Sequence, residues 1–381
     1  MKLKNLLMKA VLLMLTLSVS AGGFFYTSAA DDGQHGTPVY ALADAATGQM
    51  LFSENAELPV TVGTLGKLMT VLLCAESIER GELSEETEIT VSPQANAEKG
   101  AKIWLMPGER ITVRELLLGI LVGNANDASV AVAETVGRTV ADFVELMNTR
   151  ASELGMSGTV FLNPTGVDCD GQYSTAADMS VLCCELLKHE LLSKYTSTWR
   201  CFVRNGQTEL VNTNNLIRTF EGAMGLKASL TEKSGNSTAL AVKRGDRVLV
   251  AVCLNFADKD ECELKAKNLI KSGFAAYTAS YPLGAALELR EIEVRGGCTA
   301  KLSVSAELSL LSIAKKDASG LSAKAALPKW VEAPIKIGDI VGSLGIYAGD
   351  SLLCELPVYA AEDIPERDYL FALKKYLGVL I

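Results

Sequence analysis

Histidine is nearly absent from this chain: among 381 residues only His35 and His189 occur. A Ser-His-Asp triad or a histidine-built metal centre therefore has little to draw on. The nine cysteines include no C-x-x-C pair, which argues against zinc, and their odd number leaves at least one thiol unpaired. Beyond the first thirty residues no apolar run reaches membrane-spanning length. No basic patch offsets the formal net charge of -9, so nucleic acid is excluded as a partner class.

What is present is a hydrophobic chain (49% apolar residues), long enough for a large core and about two domains. Residues 1–30 read as a secretory signal. Lys2, Lys4 and Lys9 make a basic start, Ala10 to Leu17 an apolar centre, and Ser28-Ala29-Ala30 a small-residue cleavage site before Asp31, with Val19-Ser20-Ala21 as a second site and an uncleaved anchor as the alternative. Cys74 and Cys253 sit in apolar runs. Most of the cysteines read as buried thiols, which for an exported chain suggests a reducing or anaerobic habitat.

The chain is organised around Gly63-Thr64-Leu65-Gly66-Lys67-Leu68-Met69-Thr70. Leu65, Leu68, Met69, Leu72 and Leu73 form one helical stripe, giving a buried helix from Thr64 to about Arg80 that Gly81 stops. Thr64 and Lys67 lie one turn apart on one side of it. An amine in a partly apolar setting has a lowered pKa and serves as a base. A hydroxyl beside it, near the positive end of the helix dipole, serves as a nucleophile.

Two strands, Val39–Asp44 and Gln49–Phe52, precede that helix and are joined by a turn at Thr47-Gly48. Further on, Thr112-Val-Arg-Glu115 is a capping box ahead of the apolar Leu116–Val122. The pattern breaks at Gly123-Asn124-Ala125-Asn126-Asp127 and resumes as a helix from Ala128 to Val136. This break is either a turn with Asp127 as N-cap or a polar kink facing a cleft. Asn163-Pro164-Thr165-Gly166 has strong turn chemistry, and Ser174-Thr-Ala-Ala-Asp178-Met179 reads as the cap of the next helix. Lys227-Ala228-Ser229 precedes a hairpin whose arms, Ala239–Lys243 and Arg247–Leu254, flank Gly245-Asp246. Residues 286–361 show short alternating segments with little helical period, the pattern of a small β-sandwich. Residues 365–381 put Tyr369, Leu373, Tyr376, Leu377 and Leu380 on one helical face, suited either to a membrane surface or to packing on its own domain.

These motifs, in this order, resemble the serine D-alanyl-D-alanine carboxypeptidases, the low-molecular-weight penicillin-binding proteins. Thr64-Leu65-Gly66-Lys67-Leu68-Met69-Thr70 resembles their S-x-x-K-[LI]-M-T signature. Asn124-Ala125-Asn126-Asp127 resembles S-x-N-D, and Lys227-Ala228-Ser229 resembles K-T-G. Leu154-Gly-Met156, Phe161–Gly166 and Ser174–Met179 resemble landmarks that look structural, and 333–341 resembles the family's C-terminal β-domain. The resemblance implies a mixed α/β penicillin-binding, β-lactamase-like transpeptidase domain over 37–280, followed by an all-β sandwich domain over 286–361. It also implies a family of wall peptidases, some of them anchored by a C-terminal helix.

The implied chemistry needs no cofactor or metal. A serine attacks the D-Ala-D-Ala bond of a peptidoglycan stem peptide, or a β-lactam, assisted by the lysine three residues on. This chain departs from that pattern at each motif. Thr64 keeps a hydroxyl but adds a methyl that restricts its rotamer. Asn124 stands where the second serine would relay a proton, and an amide does not do so readily at neutral pH. Asn126 and Lys227 keep their binding capacity. Ala228 loses a hydroxyl, and Ser229 brings a Cβ where glycine would let substrate lie against the strand. The expectation is a secreted envelope protein, associated with the outer face of the cytoplasmic membrane, that binds wall peptide or a partner with impaired catalysis. A slow carboxypeptidase using Thr64 and a purely structural envelope protein are the alternatives. The only literal S-x-x-K of the mature chain, Ser312–Lys315, falls on an extended segment, where residues three apart face opposite sides.

Overall fold

The structure, a computed structural model, describes residues 36–280, 289–306, 311–317 and 320–367. The signal-like segment 1–30, and the part of the expected terminal helix from residue 368 onward, lie outside the described residues.

Strands β1 (Val39–Asp44) and β2 (Met50–Glu54) form the first hairpin. Asp44 makes its turn: the carboxylate accepts the backbone N–H groups of Ala46 and Thr47 at 3.1 and 3.2 Å and is held by Arg247 at 2.8 Å. Three long strands complete the sheet, β3 (Ala223–Thr231), β4 (Gly235–Arg244) and β5 (Arg247–Phe256). The order is β2-β1-β5-β4-β3, antiparallel throughout, so β3 is an edge. Its central strands are buried on both faces. Val39, Ala41, Val250, Val252 and Ala239 join the core beneath the helices, while Leu42, Leu249, Ala251 and Leu240 join a second core. Helix α6 (Lys259–Ala276) closes that second side with Cys262, Ala266 and Ile270. A period of two with apolar residues at both phases is what a covered sheet requires.

The helical layer holds α1 (Lys67–Glu79), α2 (Val113–Leu121), α3 (Asn126–Gly137), α4 (Val140–Glu153) and α5 (Ala176–Leu186). The capping box of α2 forms as read: Thr112 accepts from the Glu115 amide, and Glu115 returns to the Thr112 amide, both at 3.3 Å. Two boundaries differ from the sequence reading. The Thr64 turn, Gly63–Gly66, is 3-10, and the α-helix begins only at Lys67. Helix α3 starts at Asn126 with Ala125 as N-cap, so Asp127 is no cap. Its buried carboxylate instead accepts Ile103 N–H at 3.1 Å and Leu105 N–H at 3.0 Å, which ties the 103–105 segment to the kink. Within the Ser174–Met179 stretch that caps α5, the N-cap residue is Thr175, whose hydroxyl accepts from Asp178 N–H at 3.0 Å.

The C-terminal part is β-rich. One sheet orders Lys301–Leu302, Ile292–Arg295 and Trp330–Glu332; the other orders Val304–Ala306, Ser351–Ala360, Ile340–Ala348 and Leu321–Ala326. Both contribute to one apolar cluster that includes Ile292, Leu302 and Ala360. The Ser312–Lys315 match begins on strand Leu311–Ala314, paired with Tyr277–Ser280, and its lysine opens the short 3-10 turn Lys315–Asp317, so serine and lysine share no helix. All nine cysteines are free thiols, and Cys74, Cys183, Cys184, Cys253 and Cys262 are buried. Among the described residues no helix is long and apolar enough to cross a membrane.

The 163–166 loop packs beneath the Thr64 turn. Gly166 has φ +67°, and a Cβ there would stand 2.3 Å from the Gly63 carbonyl oxygen and 2.8 Å from Thr64 Cα. Gly155, φ +77°, has nothing within 4 Å of the same point. Gly155→Ala therefore costs about 1 kcal/mol, from backbone strain alone. Gly166→Ala costs about 3 kcal/mol or more, because backbone must move. Urea denaturation of the two variants checks the difference; equal costs contradict it.

Candidate active site

Five pieces of chain converge on the expected motif residues: the Thr64 turn with α1, the α2–α3 kink, the 163–166 loop, the 98–101 segment and edge strand β3. Lys67 opens α1 and is fully buried. Its Nζ donates to Asn126 Oδ1 at 2.6 Å and to the Thr165 carbonyl. Asn126 is held in turn, its Nδ2 donating to the Lys99 carbonyl at 2.6 Å. One turn further along α1, the Thr70 hydroxyl donates to the Pro164 carbonyl at 2.7 Å. The 163–166 loop, expected to be structural, thus supplies a direct partner to Lys67. Nothing in the sequence marks that role, because a backbone carbonyl is the same in every residue.

Lys227 reaches from β3 to the end of α2, where its Nζ donates to the Ile120 carbonyl at 3.2 Å. A helix C-terminus favours a cation, and the carbonyls of the last turn lack helical donors. Burial nevertheless lowers the Lys227 pKa to about 7. Lys67 is held well below the ordinary lysine range, first by burial and then by the charge of Lys227; Glu98 and Asp127 oppose the shift. Glu98, itself raised by burial, is a site neighbour that sequence reasoning missed. An amine that is neutral near pH 7 can take a proton.

Thr64 is buried, 7% exposed, on the same floor. Its backbone N–H and its hydroxyl both donate to Ser229 Oγ, each at 2.9 Å. Among the described residues no hydrogen bond joins the Thr64 hydroxyl to the Lys67 amine. Asn124 has φ +55°, and its Oδ1 is buried without a hydrogen-bond partner. It lines a cavity of about 260 Å³ with Thr213, Ala228, Ser229 and Ser237. Lys227 and Ser229 share one face of β3, opposite Ala239 and Ser237. Ala228, between them, pairs with Thr238 and lines the cavity where it passes the edge strand toward Cys262. The structure thus joins Thr64 to Ser229 and Lys67 to Asn126, and places Asn124, Ala228 and Ser229 around one cavity.

The buried amines make stability depend on pH. Lys227 has a folded pKa of about 7 against about 10.4 in an unfolded chain, so between these values the unfolded chain binds more protons. Its contribution to stability therefore improves as pH rises through that window. Lys227→Met removes this share. The variant melts about 3–6 °C higher than the parent at pH 7, and the gap narrows toward pH 10. A gap that does not change with pH in thermal melts contradicts this reading.

Comparison with known proteins now bears on the site. Residues 26–258 match the model of the D-alanyl-D-alanine carboxypeptidase family, and residues 280–366 match the penicillin-binding protein 5 C-terminal domain. The chain is 31% identical over 343 residues to D-alanyl-D-alanine carboxypeptidase DacF of Bacillus subtilis, covering 88% of both chains. Penicillin binding protein 5 of Haemophilus influenzae superposes with a TM-score of 0.75 at 24% identity, over 86% of this chain and 97% of that one. Penicillin-Binding Protein D2 of Listeria monocytogenes, solved in its ampicillin-bound form, gives 0.56 at 26% identity, over 64% of this chain and 97% of that one. With a family model spanning more than half its length and a relative above 30% identity along most of it, this chain belongs to the D-alanyl-D-alanine carboxypeptidase family.

Proposed function

We propose that this chain is an extracytoplasmic protein of the cell envelope that binds peptidoglycan stem peptides ending in D-Ala-D-Ala and turns them over slowly or not at all. The observation that carries the reading is the split of the hydrogen bonds at the floor of the site. Thr64 gives its hydroxyl to Ser229, while Lys67 gives its amine to Asn126 and the Thr165 carbonyl. A hydroxyl nucleophile needs its base within hydrogen-bond reach. Here that bond is absent, and the threonine methyl restricts the rotations that would restore it. A nucleophile held away from its base loses orders of magnitude in rate.

The capacity to bind is better supported than the capacity to cleave. Lys227 is a buried donor for a terminal carboxylate, and Asn126 is an amide fixed at both ends. Asn124 Oδ1 is an acceptor without a partner, beside the cavity. The ampicillin-bound relative supports the same class of ligand, since a β-lactam is an acyl compound that a wall-peptide site accepts. Placement outside the cytoplasm rests on the wall peptide as ligand and on the export-like character of residues 1–30.

A second reading has an observation of its own. Lys67, three residues from Thr64, has its pKa lowered well below the ordinary lysine range by burial, the direction a base requires once the bonds rearrange. Thr64 Oγ1 would then bond the carbonyl carbon, the peptide C–N bond would break, and the hydroxyl proton would pass through the amine to the departing D-alanine. Intact mass after hours with excess benzylpenicillin, beside a Thr64→Ala control, separates the two. The proposed reading expects no adduct, or one forming at least about a hundredfold more slowly than an unobstructed site allows. A rapid adduct absent from the control replaces it with the enzyme reading.

A further inference from the structure

We propose that Ser229 is a built-in gate on this site, its hydroxyl occupying the place where an acyl oxygen would bind. The inference rests on the reading that acyl compounds approach Thr64, and it assigns the obstruction to one side-chain atom.

Backbone N–H groups in the first turn of a helix have no carbonyl behind them and are free to bind an oxygen from elsewhere. The Thr64 amide is such a group, on the turn that leads into α1. When the Thr64 hydroxyl attacks a carbonyl, negative charge develops on an oxygen close to that same residue. The Thr64 N–H is then a nearby, preorganised donor for it. In this chain the donor is already taken. Ser229 Oγ accepts both the Thr64 amide and the Thr64 hydroxyl at 2.9 Å, so one oxygen satisfies the two groups an acyl substrate must engage.

The fit is close. Gly63 has φ +54°, and a Cβ at that position would meet Ser234 Oγ at 2.5 Å and Ser229 Oγ at 2.8 Å. The missing side chain at residue 63 is what leaves room for the two hydroxyls. Ser234 Oγ also shares a hydrogen bond with the Thr231 hydroxyl at 2.6 Å, so a hydroxyl cluster borders Ser229. Ser229 and Thr64 are 6% and 7% exposed, which keeps water from competing for the contact. The gate opens when the Ser229 hydroxyl turns away. An incoming carbonyl or carboxylate oxygen must therefore repay two hydrogen bonds before it gains one. The Ser229 hydroxyl thus selects against weakly held acyl ligands.

Ser229→Ala tests this, because it removes the oxygen and keeps the Cβ. Acylation by benzylpenicillin is followed by intact mass in the parent chain and in a Thr64→Ser background, with and without Ser229→Ala. In the step followed, the residue 64 hydroxyl oxygen bonds the β-lactam carbonyl carbon, the ring C–N bond breaks, and the hydroxyl proton ends on the ring nitrogen. The gate predicts acylation about tenfold faster or more in at least one background. It also predicts faster hydrogen exchange at the residue 64 amide in the Ser229→Ala chains. Ser229→Gly serves as a second variant should alanine alter the melting temperature. Unchanged or slower acylation in both backgrounds overturns the gate, slower acylation marking Ser229 as a proton carrier instead. Calorimetric binding of an N-acyl-D-Ala-D-Ala peptide to the parent chain reports separately on the proposed function, so either idea can fail while the other stands.

Discussion

Two lysine side chains removed from water set the terms for everything around them. Lys67 and Lys227 are among the largest fully buried side chains of the molecule. An ammonium group cut off from water costs several kcal/mol unless protein oxygens replace its hydration. Those oxygens come from different parts of the chain: Asn126 at the start of α3, the Thr165 carbonyl from the Asn-Pro loop, and the Ile120 carbonyl at the end of α2. Each amine thus ties its own element to a distant one. The helix that carries Lys67 is fixed to the α2–α3 kink and the loop, and the edge strand that carries Lys227 is fixed to α2. Burial, and then repulsion between the two amines, lowers the Lys67 pKa well below the ordinary lysine range.

Against that fixed background the departures at 64, 124 and 229 have different physical weights. Thr64 preserves the functional group and changes its rotational freedom. Asn124 exchanges a hydroxyl that can donate and accept one proton for an amide that can do both but does not pass one on; its buried oxygen is left without a partner. Ser229 does the most, since it adds an acceptor that binds the Thr64 hydroxyl and the Thr64 amide together. The substitutions at 64 and 229 therefore act as a pair. The Thr64 hydroxyl, which makes no hydrogen bond to the Lys67 amine among the described residues, bonds the Ser229 hydroxyl instead.

Much of this was legible in the chain. The stripe of Leu65, Leu68, Met69, Leu72 and Leu73, the capping box at Thr112 and the alternation in β4 and β5 are local signals, and they specify their elements directly. The resemblance placed Thr64, Lys67, Asn126 and Lys227 together without any long-range calculation. What the sequence hid depends on contacts between distant segments. Asp127 looks like an N-cap, but its carboxylate is drawn away by the amides of Ile103 and Leu105, some twenty residues earlier. Ser229 looks like mere bulk on a strand. That it bonds Thr64, 165 residues away, follows only from the way β3 lies against the Thr64 turn. The Thr165 carbonyl and Glu98 carry no sequence signature at all as neighbours of Lys67, because a backbone oxygen is the same in every residue and a solitary glutamate is usually on the surface.

The account turns on binding separated from cleavage, and one paired measurement addresses that most directly. An N-acyl-D-Ala-D-Ala peptide is titrated into the parent chain by calorimetry, and free D-alanine is then assayed in the same cell over many hours. The account predicts saturable heat that an L-Ala-L-Ala peptide does not give, with D-alanine release no greater than in a Thr64→Ala control. Release of many equivalents of D-alanine per protein would contradict it, as would the absence of any heat that distinguishes the two peptides.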